Sequence, residues 1–327
     1  MKTICIYNPN NLSSLLGAAI VKQWFLLNNK ENRSLVNDLQ LGNKVAVGEN
    51  SLTFSRHSSN RSVGETSEYE QIILCGITFP PEIMLKLHRD KDLIWINSDQ
   101  TFTNLVAHHQ VEIGDMETIL GYRNKNFSVC ELTWAYFFGY GHLPEIVQLI
   151  GLYDSKKYKN FDNNVEVVQF WYGAKYIITT YEEAYYWLTS ESKDKIQTIT
   201  SHGVSIYQYL CIEAKQIYKT RFSMTFTGVF PVNGTKAPND DRTLTYSFIC
   251  INHKNFNPID FGIDYHADGY DVAVSFYYSN NRWNFSLYNE NGQVNCHLIA
   301  KQFNGNGIKS YASFILKDIN TFMEIRK

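Results

Sequence analysis

The hydrophobic pattern of this chain changes period once, near residue 221, and that change reads as the start of a second domain. Up to Arg221, short apolar runs alternate with stretches of helical spacing. From Phe222 onward, apolar and polar residues alternate with period two over 222–230, 243–251, 271–278 and 283–288. A mostly helical stretch giving way to a run of strands reads as two domains. A chain of 327 residues is long enough for two cores. The expected organisation is an α/β domain over 1–200, a linking helix over 201–222 and a smaller mixed α/β domain over 223–327, with the cleft between domains as the expected ligand site.

The first stretch opens as strand, turn and helix. Residues 3–7 read as a strand, Asn8, Pro9 and Asn10 as a turn, and the run from Leu12 to about Leu27 as a helix with Leu12, Leu15, Leu16, Ala19 and Ile20 on one face. Residues 30–68 are polar, interrupted by strand candidates at 44–47 and 52–55. Ile72–Leu74 and Leu93–Ile96 are strands joined through a helix over 82–89, with Pro80 in the turn and Pro81 at the first helical position. Strands joined this way are parallel, and their carboxyl ends open toward a common crevice. Ser128 and Glu131 form a capping-box pattern before Val129–Phe138. Pro144 starts a helix through Ile150, and further helices are expected at 181–189 and 204–220. In the second stretch, Asn280–Asn281 predicts a hairpin, followed by a helix at 296–303 and a strand at 311–316.

Charge narrows the function. Lys plus Arg number 30 against 32 Asp plus Glu, a formal charge of -2, so no overall field gathers nucleic acid and only a local patch could hold it. The opening residues MKTICIYN lack a leader pattern, and no apolar run approaches a membrane span, which predicts a cytoplasmic protein without a membrane partner. None of the six cysteines forms a C-x-x-C pair, so buried thiols are expected. The sequons at Asn32 and Asn233 have no role without a secretory route. Many of the 22 Tyr and 20 Phe fall in alternating runs, where they build cores and sheet faces.

The order of these pieces resembles the DHH phosphoesterase family, in its branch that hydrolyses short oligonucleotides or small phosphate esters and carries a DHH-associated C-terminal domain. The C-terminal match runs through Tyr270-Asp271-Val272-Ala273-Val274, then Arg282-Trp283-Asn284-Phe285-Ser286-Leu287. It continues in the helix and loop Ile299-Ala300-Lys301-Gln302-Phe303-Asn304-Gly305-Asn306-Gly307, where the family has Gly-Gly-Gly-His, and in Tyr311-Ala312-Ser313-Phe314. Ile77-Thr78-Phe79-Pro80, Trp95-Ile96-Asn97-Ser98-Asp99 and Ser128 through Trp134 match the first domain. The resemblance implies a parallel-sheet α/β domain plus a smaller mixed one. It also implies two manganese-like ions, a phosphate-bearing substrate, and a homodimer as a familiar arrangement.

The ligand inventory departs from that family. Two-metal hydrolysis needs carboxylates and imidazoles around cations roughly 3.5–4 Å apart. No acidic residue or histidine occurs before Glu31; Tyr7 or Asn8 stands at the family's His, and Ser13 at its nearest Asp. Cys75 and Gly76 replace the second Asp, while Asn97, Ser98 and Asp99 replace Asp-His-His. Asp154 matches the fourth Asp. Asp99 and Asp154 are therefore the candidate catalytic and metal residues, each readable equally as a turn carboxylate. His108 and His109 are candidate substitutes. Arg282, Lys301, Gly305 and Gly307 are the candidate substrate-binding residues, the glycines through backbone N–H groups or simply through turn geometry. The leading expectation is a non-catalytic relative, with no cofactor, that binds a nucleotide, short nucleic acid or protein. Against it stand a divergent phosphoesterase using manganese or another divalent metal, and a purely structural interaction protein.

Overall fold

The computed structural model describes residues 2–28, 51–56, 67–98, 118–160, 164–190, 194–231 and 241–323. The chain divides into two compact units, Met1–Tyr207 and Gln208–Lys327. The strand expected at 44–47, Asp99, His108 and His109 lie outside the described residues.

The first unit is a parallel sheet covered on both faces. Strands β1 (Lys2–Tyr7), β2 (Ser51–Arg56), β3 (Gln71–Cys75) and β4 (Asp92–Ile96) stand in the order β2-β1-β3-β4. All their pairings are parallel. The run beyond β4 adds parallel bridges from Leu120 to Ile94 and from Arg123 to Asn97. Near-continuous apolar strands fit this burial on both faces. Cys5, Tyr7, Ile73, Cys75, Ile94 and Ile96 face one core, and Ile4, Ile6, Ile72, Leu74, Leu93 and Trp95 face another.

Helix α1 (Leu12–Asn28) is buried without interruption from Leu12 to Val21, so it lies in the middle of the helical layer rather than on its surface. Helix α2 (Pro81–Asp90), with a proline in its first turn, covers the opposite face through Met84 and Leu87. Helix α3 (Val129–Phe138) carries the expected capping box: the Ser128 hydroxyl accepts from Glu131 N, and Glu131 Oε2 accepts from Ser128 N at 2.7 Å. The helix after Pro144, α4 (Glu145–Asp154), runs past the expected end at Ile150 and finishes on Asp154. Helix α5 (Asn164–Ile177) is an element that the sequence reading missed. It precedes α6 (Tyr181–Thr189) and the long α7 (Lys195–Lys219), which starts before the expected residue 204 and passes from the first unit into the second.

In the second unit, β5 (Phe222–Pro231), β6 (Asp241–Asn252), β7 (Val272–Ser279), β8 (Arg282–Tyr288), β9 (Asn306–Gly307) and β10 (Tyr311–Leu316) form a sheet ordered β5-β6-β7-β8-β10-β9. The β6–β7 pair is parallel and the others are antiparallel, so the sheet is mixed. The β7–β8 hairpin turns through Asn280 and Asn281 at φ 52° and 59°, the paired left-handed conformation that a tight hairpin needs. Helices α8 (Cys296–Lys301) and α9 (Asn320–Met323) flank one core, which gathers Phe226, Phe248, Phe285, Phe303, Phe314 and Phe322. The C-terminal half of α7 packs Ala214 and Tyr218 over the other face, against Ile249, Ile251 and Ala273. A parallel sheet followed by a separate mixed sheet is the architecture expected from the sequence. No helix among the described residues is long and apolar enough to cross a membrane.

Candidate functional site

Parallel strands deliver their carboxyl ends to one edge, and the residues there decide what chemistry the first unit supports. At the end of β1, Tyr7 is 1% exposed, its ring edge-on to Tyr181 at 5.8 Å. The turn that follows satisfies itself. Asn8 N donates to Ser14 Oγ at 2.8 Å, Ser14 N donates to Asn11 Oδ1 at 2.8 Å, and the Ser14 hydroxyl donates to Cys75 O at 2.5 Å. Ser14 thus ties the end of β1 to the end of β3. Gly76, just beyond β3, holds φ at +69°, and a side chain there would press on Ser14 and Val129.

Three of the positions where the family places a charged ligand, Ser13, Cys75 and Asn97, hold a neutral, partnered group. Cys75 is fully buried, with its sulfur 3.9 Å from that of Cys5. Burial pushes the Cys5 thiol well up, so the pair is a thiol contact and not a thiolate site. Asn97 is buried and donates its amide to Thr78 Oγ1 at 2.6 Å. Ser13 is buried, and its hydroxyl oxygen accepts from Cys130 N at 2.9 Å.

Asp154 closes α4 beside Ser13, as the resemblance implies for the fourth motif. Its Oδ1 accepts from Trp171 Nε1 at 3.2 Å, and the Ser13 hydroxyl also bonds to it. Loss of solvent around the carboxyl raises it to about 6; the bonds from Trp171 and Ser13 oppose that rise, and the nearby charge of Glu131 adds to it. The residue as a whole remains exposed, so one side of it keeps its water. Trp171 is fixed in turn by stacking on Tyr153 at 4.1 Å and by the Lys175 ammonium 4.8 Å from its ring centre. Glu131, the nearest further carboxylate, is committed to capping Ser128. Sequence reasoning missed Trp171 because it sits in α5, where the local pattern carried no helical signal.

Among the described residues, the donors at this edge are a phenol, hydroxyls, a thiol, an amide and one carboxylate. Such a set does not supply the negative charge that two divalent cations require, so the site does not fit the family's two-metal centre. Among the described residues, no three His, Cys, Asp or Glu side chains come together as a metal-holding group. A pocket of about 180 Å³ lies beside α3, between Tyr122, Arg123, Phe127, Glu131 and Tyr140. Arg123 there serves as a strut, donating to Ile119 O at 2.9 Å and Trp95 O at 3.3 Å.

The candidate substrate residues of the second unit do not all converge. Gly305 and Gly307 sit where the loop presses on β10: a side chain at Gly305 would strike Ser313 O and Phe314, and one at Gly307 would strike Ala312 and Tyr311 O. Close approach alone demands both glycines. Exposed Lys301 ends α8, next to this loop. Exposed Arg282 begins β8, whereas Gly307 is level, through Ala312, with Leu287. Five residues of strand, roughly 17 Å, separate those levels.

No protein-family model matches the chain, and neither does any curated protein. Solved structures do. A pGpG-specific phosphodiesterase, PggH from Vibrio cholerae, is 10% identical with a TM-score of 0.46, over 99% of this chain and 97% of that one. RecJ from Thermus thermophilus in complex with Mn2+ is 12% identical with a TM-score of 0.47, over 99% of this chain and 50% of RecJ, so this chain spans about half of RecJ's length. An exopolyphosphatase-related protein from Bacteroides fragilis is 10% identical with a TM-score of 0.37, over 99% of this chain and 91% of that one. Likeness at this level leaves the chemistry to be read from the residues themselves.

Proposed function

We propose that this chain is a DHH-like scaffold that binds rather than hydrolyses, holding a nucleotide or short nucleic acid through the carboxyl end of its parallel sheet. The observation that carries this reading is the state of Ser13, Cys75 and Asn97. Each stands where the family uses a carboxylate or imidazole, each is buried, and each is already bonded to a neutral partner. Among the described residues Asp154 is the remaining carboxylate at the family's positions, and one carboxylate cannot organise two cations.

The test is a turnover assay on activated phosphodiesters, linear dinucleotides and short RNA with Mn2+, Mg2+ or Co2+, run beside a fluorescence anisotropy titration with a labelled dinucleotide. Saturable binding without metal-dependent turnover is the expected result. Robust turnover that Asp154→Asn abolishes would overturn the non-catalytic reading. Absence of binding would remove the nucleotide and leave a protein as the ligand.

A further inference from the structure

The pocket beside α3 opens at the carboxyl end of the first sheet, where Arg123 bridges Asn97 just past β4. Leu132 and Ala135 of α3 give it apolar walls, and the exposed rings of Phe127 and Tyr140 stand at its mouth. Its volume of about 180 Å³ is below the roughly 300–1,000 Å³ that encloses a drug-sized ligand, so it admits a single flat ring system. Aromatic rings at the mouth suit a nucleobase, which stacks on such side chains.

Two charged groups flank this space. The Glu131 side chain, which lines it, is held on both sides. Its Oε2 accepts from Ser128 N at 2.7 Å, and Gly151 leaves it room, since a side chain at 151 would strike its Cγ, Cδ and Oε2. A carboxylate has about four lone-pair sites, and the cap fills one. The charge of Glu131 is felt at Asp154, so the pocket adjoins the edge where the resemblance places the family's chemistry. At the mouth, the Lys157 ammonium lies 4.1 Å from the centre of the Phe127 ring, and no carboxylate among the described residues pairs with it.

These groups choose between occupants. An apolar side chain from a protein would fit the volume, yet it would strip water from Glu131 without giving it a bond. A base gives it one. The pairing edges of adenine and cytosine set a ring nitrogen lone pair beside their amino group, and that of uracil sets carbonyl oxygens on both sides of its N–H. Guanine presents two adjacent donors, N1–H and the 2-amino group, which match an acceptor-only carboxylate.

We infer that this pocket is a base subsite selective for guanine, with Glu131 reading the pairing edge, the mouth rings stacking on the base and Lys157 meeting a phosphate of the same nucleotide. The subsite rests on the nucleotide-binding reading above and gives it a base and a place.

Fluorescence anisotropy of the full chain with labelled GpG, ApA and UpU is the test. GpG should bind about tenfold tighter than the other two, and unlabelled GMP should displace it better than AMP or UMP. Glu131→Gln keeps an oxygen for Ser128 N, so the cap survives, but it offers the base a donor in place of an acceptor. The guanine preference should vanish in that variant, with ApA affinity held within about twofold. Lys157→Ala should weaken all three dinucleotides alike and flatten the salt dependence. Ala135→Leu, which fills the pocket, should lower GpG affinity by about tenfold or more. If either pocket variant fails to fold, the other variant and the wild-type preference decide. Equal binding of the three dinucleotides, or a guanine preference that Glu131→Gln or Ala135→Leu leaves intact, would overturn the subsite while the nucleotide reading stands. No binding of any dinucleotide would overturn both.

Discussion

Replacing Asp154 with asparagine separates a metal ligand from a tolerated remnant. The carboxyl rises from its ordinary 3.8 to about 6, chiefly through desolvation. A rise of about two units equals ~3 kcal/mol for a fully desolvated group. The exposed flank of Asp154 lets solvent screen the charge, which reduces the effect to about 1 kcal/mol. The folded state then binds the proton more tightly than the unfolded chain, so the contribution of Asp154 to stability falls as pH rises from about 4 to about 6 and is constant above. An amide in place of the carboxylate would keep an oxygen for Trp171 Nε1 and carry no charge. Urea unfolding at about pH 7.5 should show Asp154→Asn more stable than wild type by about 1 kcal/mol, and at about pH 3, below both pKa values, the difference should nearly vanish. Mn2+ should leave both midpoints unchanged, since a ligand that binds only the folded state would raise them. A variant less stable at neutral pH, or a Mn2+-dependent gain that the variant loses, would refute this account.

The crossing of α5 and α7 yields a stability prediction. A side chain at Gly203 would fall on Gln169 O, and one at Gly173 on Ile199 O, both fixed backbone atoms. Gly203→Ala should therefore lose about 2 kcal/mol net in urea unfolding, the overlap outweighing a helix-propensity gain of about 1 kcal/mol. The cysteine pair yields another. Cys5 and Cys75 lie diagonally on adjacent strands, because Cys5 is opposite Ile73 and Tyr7 opposite Cys75. That offset puts their Cα atoms about 8 Å apart, too far for a disulfide. Peptide mapping after mild oxidation should find both thiols free, and a thiol reagent should reach them only after unfolding.

Local signals revealed the elements that local chemistry controls. Pro81 marks the start of α2, Ser128 and Glu131 start α3, and Asn280–Asn281 supplies the left-handed pair for the β7–β8 turn. Helix α5 escaped notice because its sequence, NVEVVQFWYGAKYI, is rich in β-branched and aromatic residues and contains a glycine, all weak helix formers. Packing overrides propensity there: Val167, Val168, Phe170 and Ala174 are buried, and Gly173 admits the backbone of α7. Gly203 stands just ahead of the helix start expected at 204, yet it lies within α7 and is the other half of that crossing. Period-two alternation located β6 and β7 without revealing that they run parallel, since alternation carries no direction. At the site, the family resemblance singled out Ser13 and Asp154 as separate positions, whereas the Trp171 bond depended on a helix that no local signal announced.

The neutral side chains at the sheet edge make physical sense as a set. Carboxylates gathered around two cations are stabilised by them; without the cations the same groups repel one another and resist burial. Neutral replacements remove that conflict, which lets Tyr7, Ser13, Cys75 and Asn97 sink to 6% exposure or less. Asp154 persists because its exposed flank and its bonds from Trp171 and Ser13 make a lone charge tolerable. Restoring one ligand would reverse the gain without restoring the metal. An aspartate in place of Ser13 would bring a second carboxylate against Asp154, with only a thiol at Cys75 and an amide at Asn97 nearby to complete a coordination sphere. A single added carboxylate at this edge is therefore expected to destabilise the fold.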